Sequence, residues 1–173
     1  MSAATTTLKP HPDSAHRMRI RLLTISERQP AWVNDGFVEY AKRLPKHLAP
    51  ELVELPLAKR GKGGDSAKHK VEESERLLNA MGRDVQLIAL DERGVAWTSV
   101  QLAEQMRRWT LDGRDVALAI GGPDGHAPFL LERASARWSL SPLTLPHGLV
   151  RVVIAEQLYR AHSILEGHPY HRA

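Results

Sequence analysis

The sequence predicts an α/β domain with a mostly parallel sheet that helices cover on both faces. Short apolar runs alternate with longer segments in which apolar residues recur at helical spacing, and this alternation is typical of parallel βαβ units. One run, Asp115–Ile120, is almost wholly apolar, as expected of a strand buried on both faces. The chain has 173 residues and no linker or repeat that would divide it, so we expect one domain.

The strands of this sheet are predicted from short runs rich in Leu, Ile and Val. In chain order the five extended segments are Arg19–Ile25, Glu51–Leu57, Asp84–Leu90, Asp115–Ile120 and Leu140–Leu145. Ligands of open parallel sheets bind beyond the carboxyl ends of the strands. We therefore expect a binding site near Leu90, the loop Gly121–Gly125 and the segment Leu140–Leu145.

Helices are expected between the strands, where the apolar spacing changes to that of a helix. Their predicted bounds are Ala31–Leu44, Asp65 to Met81, Val100–Leu111, Pro128–Ala136 and Leu149–Leu165. Asp65 and Ser99 are side chains of the kind that cap helix amino termini, and Gly82 is suited to end the second helix. Residues 1–17 are rich in Thr, Pro and His and lack the apolar core of a signal peptide; we predict a disordered tail there and the domain at residues 18–173.

Composition excludes several classes of site. The chain has no cysteine, which rules out disulfides, thiolate nucleophiles and cysteine-ligated metals and fits a reducing cytoplasm. Lys and Arg number 24 against 20 acidic residues, a net charge of +4, which weakly favours a polyanionic partner. No run of 18 apolar residues occurs, so we expect no membrane span.

The loop Gly121–Gly125, with sequence GGPDG, directly follows the most apolar strand. Three glycines in five residues allow the backbone to approach a ligand closely. The loop matches neither a dinucleotide-binding fingerprint nor a phosphate loop. A tight turn without a ligand is an equally good interpretation of these residues alone.

A second candidate is the run from Ser139 to His147, which combines hydroxyls and two prolines with almost no charge. Prolines stiffen the backbone, and polar backbone groups in an apolar wall suit the edge of a planar base such as adenine. An ordinary core strand explains the same pattern.

The last predicted helix has more apolar positions than one stripe requires, which fits either a dimer contact or deep burial.

Two clusters of charge remain. Lys59, Arg60 and Lys62 lie in a glycine-rich loop, which indicates either a contact with phosphate groups or a solvated surface. The chain ends HPYHRA, from His168, and this terminus is rich in groups that move protons or stack on bases. Two histidines three residues apart with no third ligand nearby make a metal site there a poor interpretation.

Together, four segments resemble one known family. They are KRGK at Lys59–Lys62, LDGRDV followed by IGGP and a glycine over Leu111–Gly125, LSPLTLPH leading into LVRV over Leu140–Val152, and AEQLYRA with the terminal HPYHR. This ordered set resembles the small SPOUT-class methyltransferases of the RlmH (YbeA-like) type. The resemblance spans Met18 to Arg172.

The resemblance implies a fold, a reaction and partners. It implies an α/β domain with a deep C-terminal trefoil knot, which no argument from spacing would propose because knots are almost absent among folds. It also implies a cytoplasmic homodimer that methylates N3 of a pseudouridine in 23S ribosomal RNA, with S-adenosyl-L-methionine as methyl donor and no metal. Partner-subunit residues are then expected to complete each RNA site.

The same resemblance implies roles for individual residues. The residues expected to bind the methyl donor are Leu90, Gly121, Gly122, Leu140, Ser141, Pro142, Leu143, Thr144 and Leu145. The candidates for positioning and deprotonating the base are His171, Arg172, Tyr170 and Arg151, with Glu156 a weaker one, and those for RNA contact are Lys59, Arg60, Lys62 and His168. The chain departs from the family pattern at Asp124 and His126, where a Glu and an apolar residue are common.

Two other functions stay open at this point. One is a sibling methyltransferase that acts on transfer RNA. The other is a ribosome-binding protein without catalytic activity, against which the intact GGP turn and LTLPH run argue.

Overall fold

A computed structural model describes residues 17–172 of the chain. The prediction for residues 1–17 falls, apart from Arg17, outside the described residues. The strands are β1 (Ile20–Ile25), β2 (Glu51–Leu55), β3 (Gln86–Ala96), β4 (Val116–Ile120) and β5 (Ala136–Ser139). The helices are α1 (Ala31–Ala41), α2 (Ser66–Met81), α3 (Ser99–Asp112), α4 (Pro128–Arg133) and α5 (His147–Leu165), followed by a 3-10 turn at Pro169–Arg172.

The five strands form one sheet in the order β2-β1-β4-β3-β5, and every pair of neighbours is parallel. The predicted α/β class with a parallel sheet is confirmed. Because all strands run the same way, their carboxyl ends lie along one edge. The threading of the C-terminal segment into a knot stays a prediction.

The core has two halves, one on each face of the sheet. Strand β4 is buried at all five positions, and its residues alternate between the halves: Leu118 joins the cluster that includes α5 residues such as Leu158, and Ala117 joins the cluster that includes Leu77 of α2. A central strand buried on both faces explains the continuous apolar run seen in the sequence.

The predicted fifth strand was wrong in position. Strand β5 covers Ala136–Ser139, where Trp138 and Ser139 are buried and pair with β3, and the predicted helix Pro128–Ala136 ends at Arg133 instead. The segment Leu140–Leu145 is irregular, because Pro142 has no N–H group to donate to a neighbouring strand.

Several further boundaries differ from those predicted, and contacts in the structure explain two of them. Helix α3 is capped by Thr98, not Ser99: Thr98 Oγ1 accepts from the Gln101 amide, and Gln101 Oε1 accepts from the Thr98 amide. The Ser99 hydroxyl donates instead to Gln157 of α5. Strand β3 extends beyond Leu90 to Ala96, since an irregularity in register lets it resume pairing with β5.

Asp65 and Gly82 act as predicted at the ends of α2. The Asp65 carboxylate accepts from the Ala67 amide, and Gly82 adopts a φ of 85°. Within residues 17–172, none of the helices has the length and apolar character needed to span a membrane.

Candidate active site

A cavity of about 470 Å³ lies where β4 and β5 end, beside Leu90, at which β3 stops pairing with β4. The residues expected to bind the methyl donor that line it are Leu90, Gly121, Gly122, Leu140, Ser141, Leu143, Thr144 and Leu145. Pro142 lies in the same segment but does not line the cavity. Parallel strands thus bring together loops that are distant in sequence, at the edge where open sheets bind ligands.

The wall formed by the segment after β5 offers free backbone groups. The Ser141 hydroxyl accepts from the Leu143 amide, which folds the segment back on itself. The amides of Thr144 and Leu145 donate to none of the described residues. An apolar wall with unpaired amides at fixed positions can recognise the edge of a flat heterocycle.

The opposite wall is the tight turn Gly121–Gly125. The Gly125 amide donates to the Gly122 carbonyl across 3.0 Å, and Gly125 has a φ of 79°. A Cβ atom added to Gly122 would lie 2.3 Å from Glu73 Oε2. Close packing against this carboxylate therefore requires glycine at position 122.

Glu73 of α2 packs against this turn from the protein interior. Its side chain is 1% exposed, and its Oε1 accepts from the Ala58 amide at 3.0 Å and pairs with the Arg60 guanidinium at 2.7 Å. The second guanidinium nitrogen of Arg60 binds Asp124 at 2.9 Å. Arg60 thus connects the basic loop to the glycine turn, a role that was not predicted from the sequence, and its contact with RNA stays a prediction. Lys59 and Lys62 are exposed.

His126 closes the base of the cavity. Its Nε2 lies 3.1 Å from the Leu90 carbonyl and 3.2 Å from the Ala119 carbonyl. Since both partners only accept, Nε2 carries the proton and donates to both. Nδ1 is buried without a hydrogen-bond partner among the described residues. Burial lowers the pKa of His126, against the opposing effect of the two carbonyls and Asp91, and the ring is held neutral.

His147 plays a similar part at the first turn of α5. Its Nε2–H donates to the Gly121 carbonyl at 3.2 Å and lies 3.3 Å from the Thr24 hydroxyl. Burial, with a further contribution from the charge of Arg151, lowers the pKa of His147 despite its hydrogen bond to Gly121. His147 thus links the carboxyl ends of β1 and β4 to the start of α5.

Arg151 is fully buried on α5, one turn beyond His147, and does not line the cavity. Its Nη2 donates to the Ser26 hydroxyl at 3.0 Å, and its Nη1 lies 3.6 Å from the Glu54 carboxylate. Nε has no hydrogen-bond partner among the described residues. The guanidinium therefore concentrates positive charge beneath the carboxyl end of β1.

The C-terminal turn lies away from the cavity of its own chain. The Tyr170 hydroxyl donates to Glu156 at 3.1 Å, and the Tyr170 ring packs on Tyr159. Glu156 lies nine residues along α5 from His147, a distance of about 13 Å at the helical rise per residue. Neither this tyrosine nor His168, His171 and Arg172 lines the cavity, so one chain does not bring these candidates together with its own cofactor-binding loops.

Several residues of the site were missed in the sequence. Glu73 and Thr24 stand in ordinary helix and strand patterns, and only the packing of α2 and α5 shows that each is buried beside a site loop. His126 and His147 had a weak signal, because His126 directly follows one candidate loop and His147 ends the other candidate run. Within residues 17–172 no group of three or more His, Cys, Asp or Glu side chains is placed to hold a metal ion.

The buried, neutral state of His126 should make stability pH-dependent. Because its pKa in the fold lies below the ordinary value of 6.5, the unfolded chain binds more protons on acidification. The stabilising contribution of neutral His126 is complete above pH 6.5 and is lost as the pH falls toward the lowered pKa. We expect the melting temperature, measured over about pH 5 to 8, to fall less steeply with acid in His126→Gln than in the wild type. Equal slopes in the two proteins would contradict this assignment.

Comparison with known proteins identifies the family. A family model described as "Predicted SPOUT methyltransferase" matches residues 18–171. Three similar proteins bear the name "Ribosomal RNA large subunit methyltransferase H". The protein from Alkalilimnicola ehrlichii is 56% identical over 90% of this chain and 100% of its own length. Those from Hahella chejuensis and Pseudomonas fluorescens are 49% and 52% identical over 90% of this chain and 99% and 100% of their own lengths.

One solved structure is a more distant match. The crystal structure of the SpoU methyltransferase AviRb from Streptomyces viridochromogenes, in complex with the cofactor AdoMet, aligns with a TM-score of 0.42 and 12% identity. The alignment covers 84% of this chain and 61% of that one. The family model and the near full-length relatives decide the matter: the chain belongs to the SPOUT methyltransferase family and is a methyltransferase.

Proposed function

We propose that this chain transfers a methyl group from S-adenosyl-L-methionine to N3 of a pseudouridine in 23S ribosomal RNA, as a cytoplasmic homodimer. The observation that carries the proposal is the 56% identity, over the whole length of the relative, to a protein named for methylation of large-subunit ribosomal RNA. The cavity at the carboxyl ends of β4 and β5, beside Leu90 of β3, has a shape and chemistry that suit the methyl donor.

The residues present fit this methyl donor. The unpaired amides of Thr144 and Leu145 lie in an apolar wall suited to adenine, and the glycine turn opposite lets backbone approach a ligand closely. When bound, S-adenosyl-L-methionine supplies a methyl group already activated by its sulfonium charge. Leu90, Gly121, Gly122 and the segment Leu140–Leu145, including Pro142, are the residues we assign to its binding.

Two histidines of the cavity, His126 and His147, suit a positively charged ligand. His126 and His147 both line the cavity, and burial lowers the pKa of each. Neutral rings bind backbone carbonyls without adding positive charge beside a sulfonium. They therefore shape the cavity without opposing the ligand electrostatically.

Methylation of an imide nitrogen requires loss of the proton on that nitrogen. The chain's part is to orient the base and to stabilise the negative charge that develops on its oxygens. Arg151 is the buried cation nearest the site, while His171, Arg172 and Tyr170 are the groups we assign to positioning and deprotonation from the C-terminal turn. Exposed Lys59 and Lys62, together with Arg60 and His168, are assigned to the RNA.

The position of the C-terminal turn supports a dimer. About 13 Å of helix separates the contact of Tyr170 with Glu156 from His147, so a second chain is needed to bring a turn to each cavity. Helices α1 and α5, which pack together, carry exposed apolar side chains at Trp32, Val38 and Leu149. Exposed apolar surface on neighbouring helices is typical of a protein interface.

The reaction is tested by mass spectrometry of ribosomal RNA from a strain without this gene. We expect N3-methylpseudouridine in 23S ribosomal RNA to disappear on deletion and to return when the gene is restored. An unchanged level would overturn the proposed substrate. A lost modification in transfer RNA instead would assign the chain to a sibling activity, and no lost modification would indicate a binding protein without catalysis.

The close approach of Gly122 to Glu73 gives a test of the cofactor site. In Gly122→Ala the new Cβ would overlap Glu73 Oε2, so the turn must shift. Overpacking typically costs 1–3 kcal/mol, and we expect S-adenosyl-L-methionine affinity, measured by calorimetry, to fall about tenfold or more. Gly61→Ala is the matched control, because no atom lies within 4 Å of its added Cβ. Equal affinities in the two variants would remove the turn from the binding site.

Subunit sharing is tested by complementation. We expect Gly122→Ala and the double variant His171→Ala, Arg172→Ala each to be weakly active alone. In co-expressed mixtures half of the dimers are mixed, and each then has one intact cavity opposite one intact C-terminal turn. Turnover should recover to about a quarter of wild type if the site is shared across a twofold dimer. No recovery in verified mixed dimers would show that each site is built from one chain.

A further inference from the structure

A second cleft adjoins the cofactor cavity on the far side of the glycine turn. It has a volume of about 240 Å³ and is lined at the end of β1 by Ser26 and Gln29, with Leu57 opposite. Pro123 and His147 line both this cleft and the larger cavity. The two spaces therefore share a wall, which is the arrangement a transfer between two bound molecules requires.

Ser26 is the polar residue of this cleft that contacts the buried guanidinium of Arg151. Its hydroxyl oxygen accepts from Arg151 Nη2 at 3.0 Å, and its own O–H donates to none of the described residues. A serine that accepts from a cation has its remaining proton available and made more acidic by that cation. Arg151 is fully buried, and its Nε and Nη1 have no hydrogen-bond partner among the described residues, although Nη1 lies 3.6 Å from the Glu54 carboxylate.

We propose that this cleft receives the target base and that the Ser26 hydroxyl donates to an oxygen of its imide, with Arg151 acting through Ser26 as a positioning residue. The proposal rests on the proposed function. A uracil-type ring presents two carbonyl oxygens on either side of N3, and both gain negative charge when N3 loses its proton. A donor backed by a buried cation stabilises that charge more strongly than it stabilises the neutral ring.

The methyl transfer takes place between a donor in the cofactor cavity and a base in the cleft. The N3–H bond breaks, and its proton passes to the C-terminal turn assigned to deprotonation and from there to water. The electron pair of N3 forms the new N–CH₃ bond, the carbon–sulfur bond breaks, and its electrons remain on sulfur as a neutral thioether. Ser26 and Arg151 change no bond of their own, because they only stabilise the charge on the imide oxygen.

A neighbouring groove leads from the basic loop into this cleft. It shares Ser26, Glu27 and Leu57 with the cleft and continues to Lys59 and Arg60. Enzymes that modify a base in structured RNA take it out of its stack, while cationic side chains hold the adjoining phosphates. With the target base in the cleft, the adjoining phosphates of the RNA backbone would lie along this groove, beside Lys59.

The test compares serine variants on ribosomal particles from a strain without this gene. In Ser26→Ala we expect the single-turnover rate of N3-methylpseudouridine formation at neutral pH to fall roughly a hundredfold, the loss typical of one oxyanion donor, with unchanged S-adenosyl-L-methionine affinity. Ser26→Thr, which keeps the hydroxyl, should recover most of the rate. The deficit of Ser26→Ala should shrink as pH rises, because the imide then ionises without help.

Ser99→Ala is the matched control, since the Ser99 hydroxyl also binds a side chain of α5 but lies outside both spaces. It should keep the wild-type rate. Arg151→Met should lower the rate and add no further loss to Ser26→Ala, as expected of residues that act in series.

Wild-type rates in Ser26→Ala, or a deficit that does not change with pH, would overturn the role of Ser26 in charge stabilisation. Failure of Ser26→Thr to recover would overturn the role of its hydroxyl. If the wild-type protein forms no N3-methylpseudouridine, the proposed function fails instead, independently of the variants.

Discussion

The parallel direction of all five strands is the constraint on which the site depends. It places the carboxyl ends of β1, β4 and β5 and the point at which β3 leaves β4 along one edge, so that segments far apart in sequence line two adjoining spaces. Backbone amides and carbonyls at such an edge are fixed by the sheet, and a ligand that binds them needs little rearrangement of the protein. The core on both faces of β4 stabilises this geometry.

Buried polar side chains connect the loops to that frame. Glu73 packs against Gly122 and binds Arg60, which also pairs with Asp124. His147 binds the carbonyl of Gly121. The ion pair of Glu73 with Arg60 compensates a carboxylate that would be costly to bury alone, and Glu73 and His147 each join a loop of the site to a helix. The glycine turn is therefore positioned from both sides, and a change in the basic loop can reach the cofactor cavity through Arg60.

Much of the fold followed from the sequence because it depends on local patterns. The apolar run of β4 and the caps of α2 at Asp65 and Gly82 were predicted and are confirmed. The fifth strand was misplaced because Leu140–Leu145 is apolar enough for a strand, whereas the pairing that selects Ala136–Ser139 is decided by β3, distant in sequence. The family was recognised from four ordered segments and is confirmed. The contacts of Glu73, His126 and Ser26 join residues that are distant in sequence, so no local sequence pattern predicts them.

The central claim is that the methyl donor and the target base meet at the wall formed by Pro123 and His147. A crystal structure with bound S-adenosylhomocysteine, the product left after transfer, tests it most directly. We expect the adenine to contact the segment Leu140–Leu145 and the sulfur atom to face Pro123 and His147, on the side of Ser26. A sulfur atom that faces away from this wall, toward Glu92, would contradict the account.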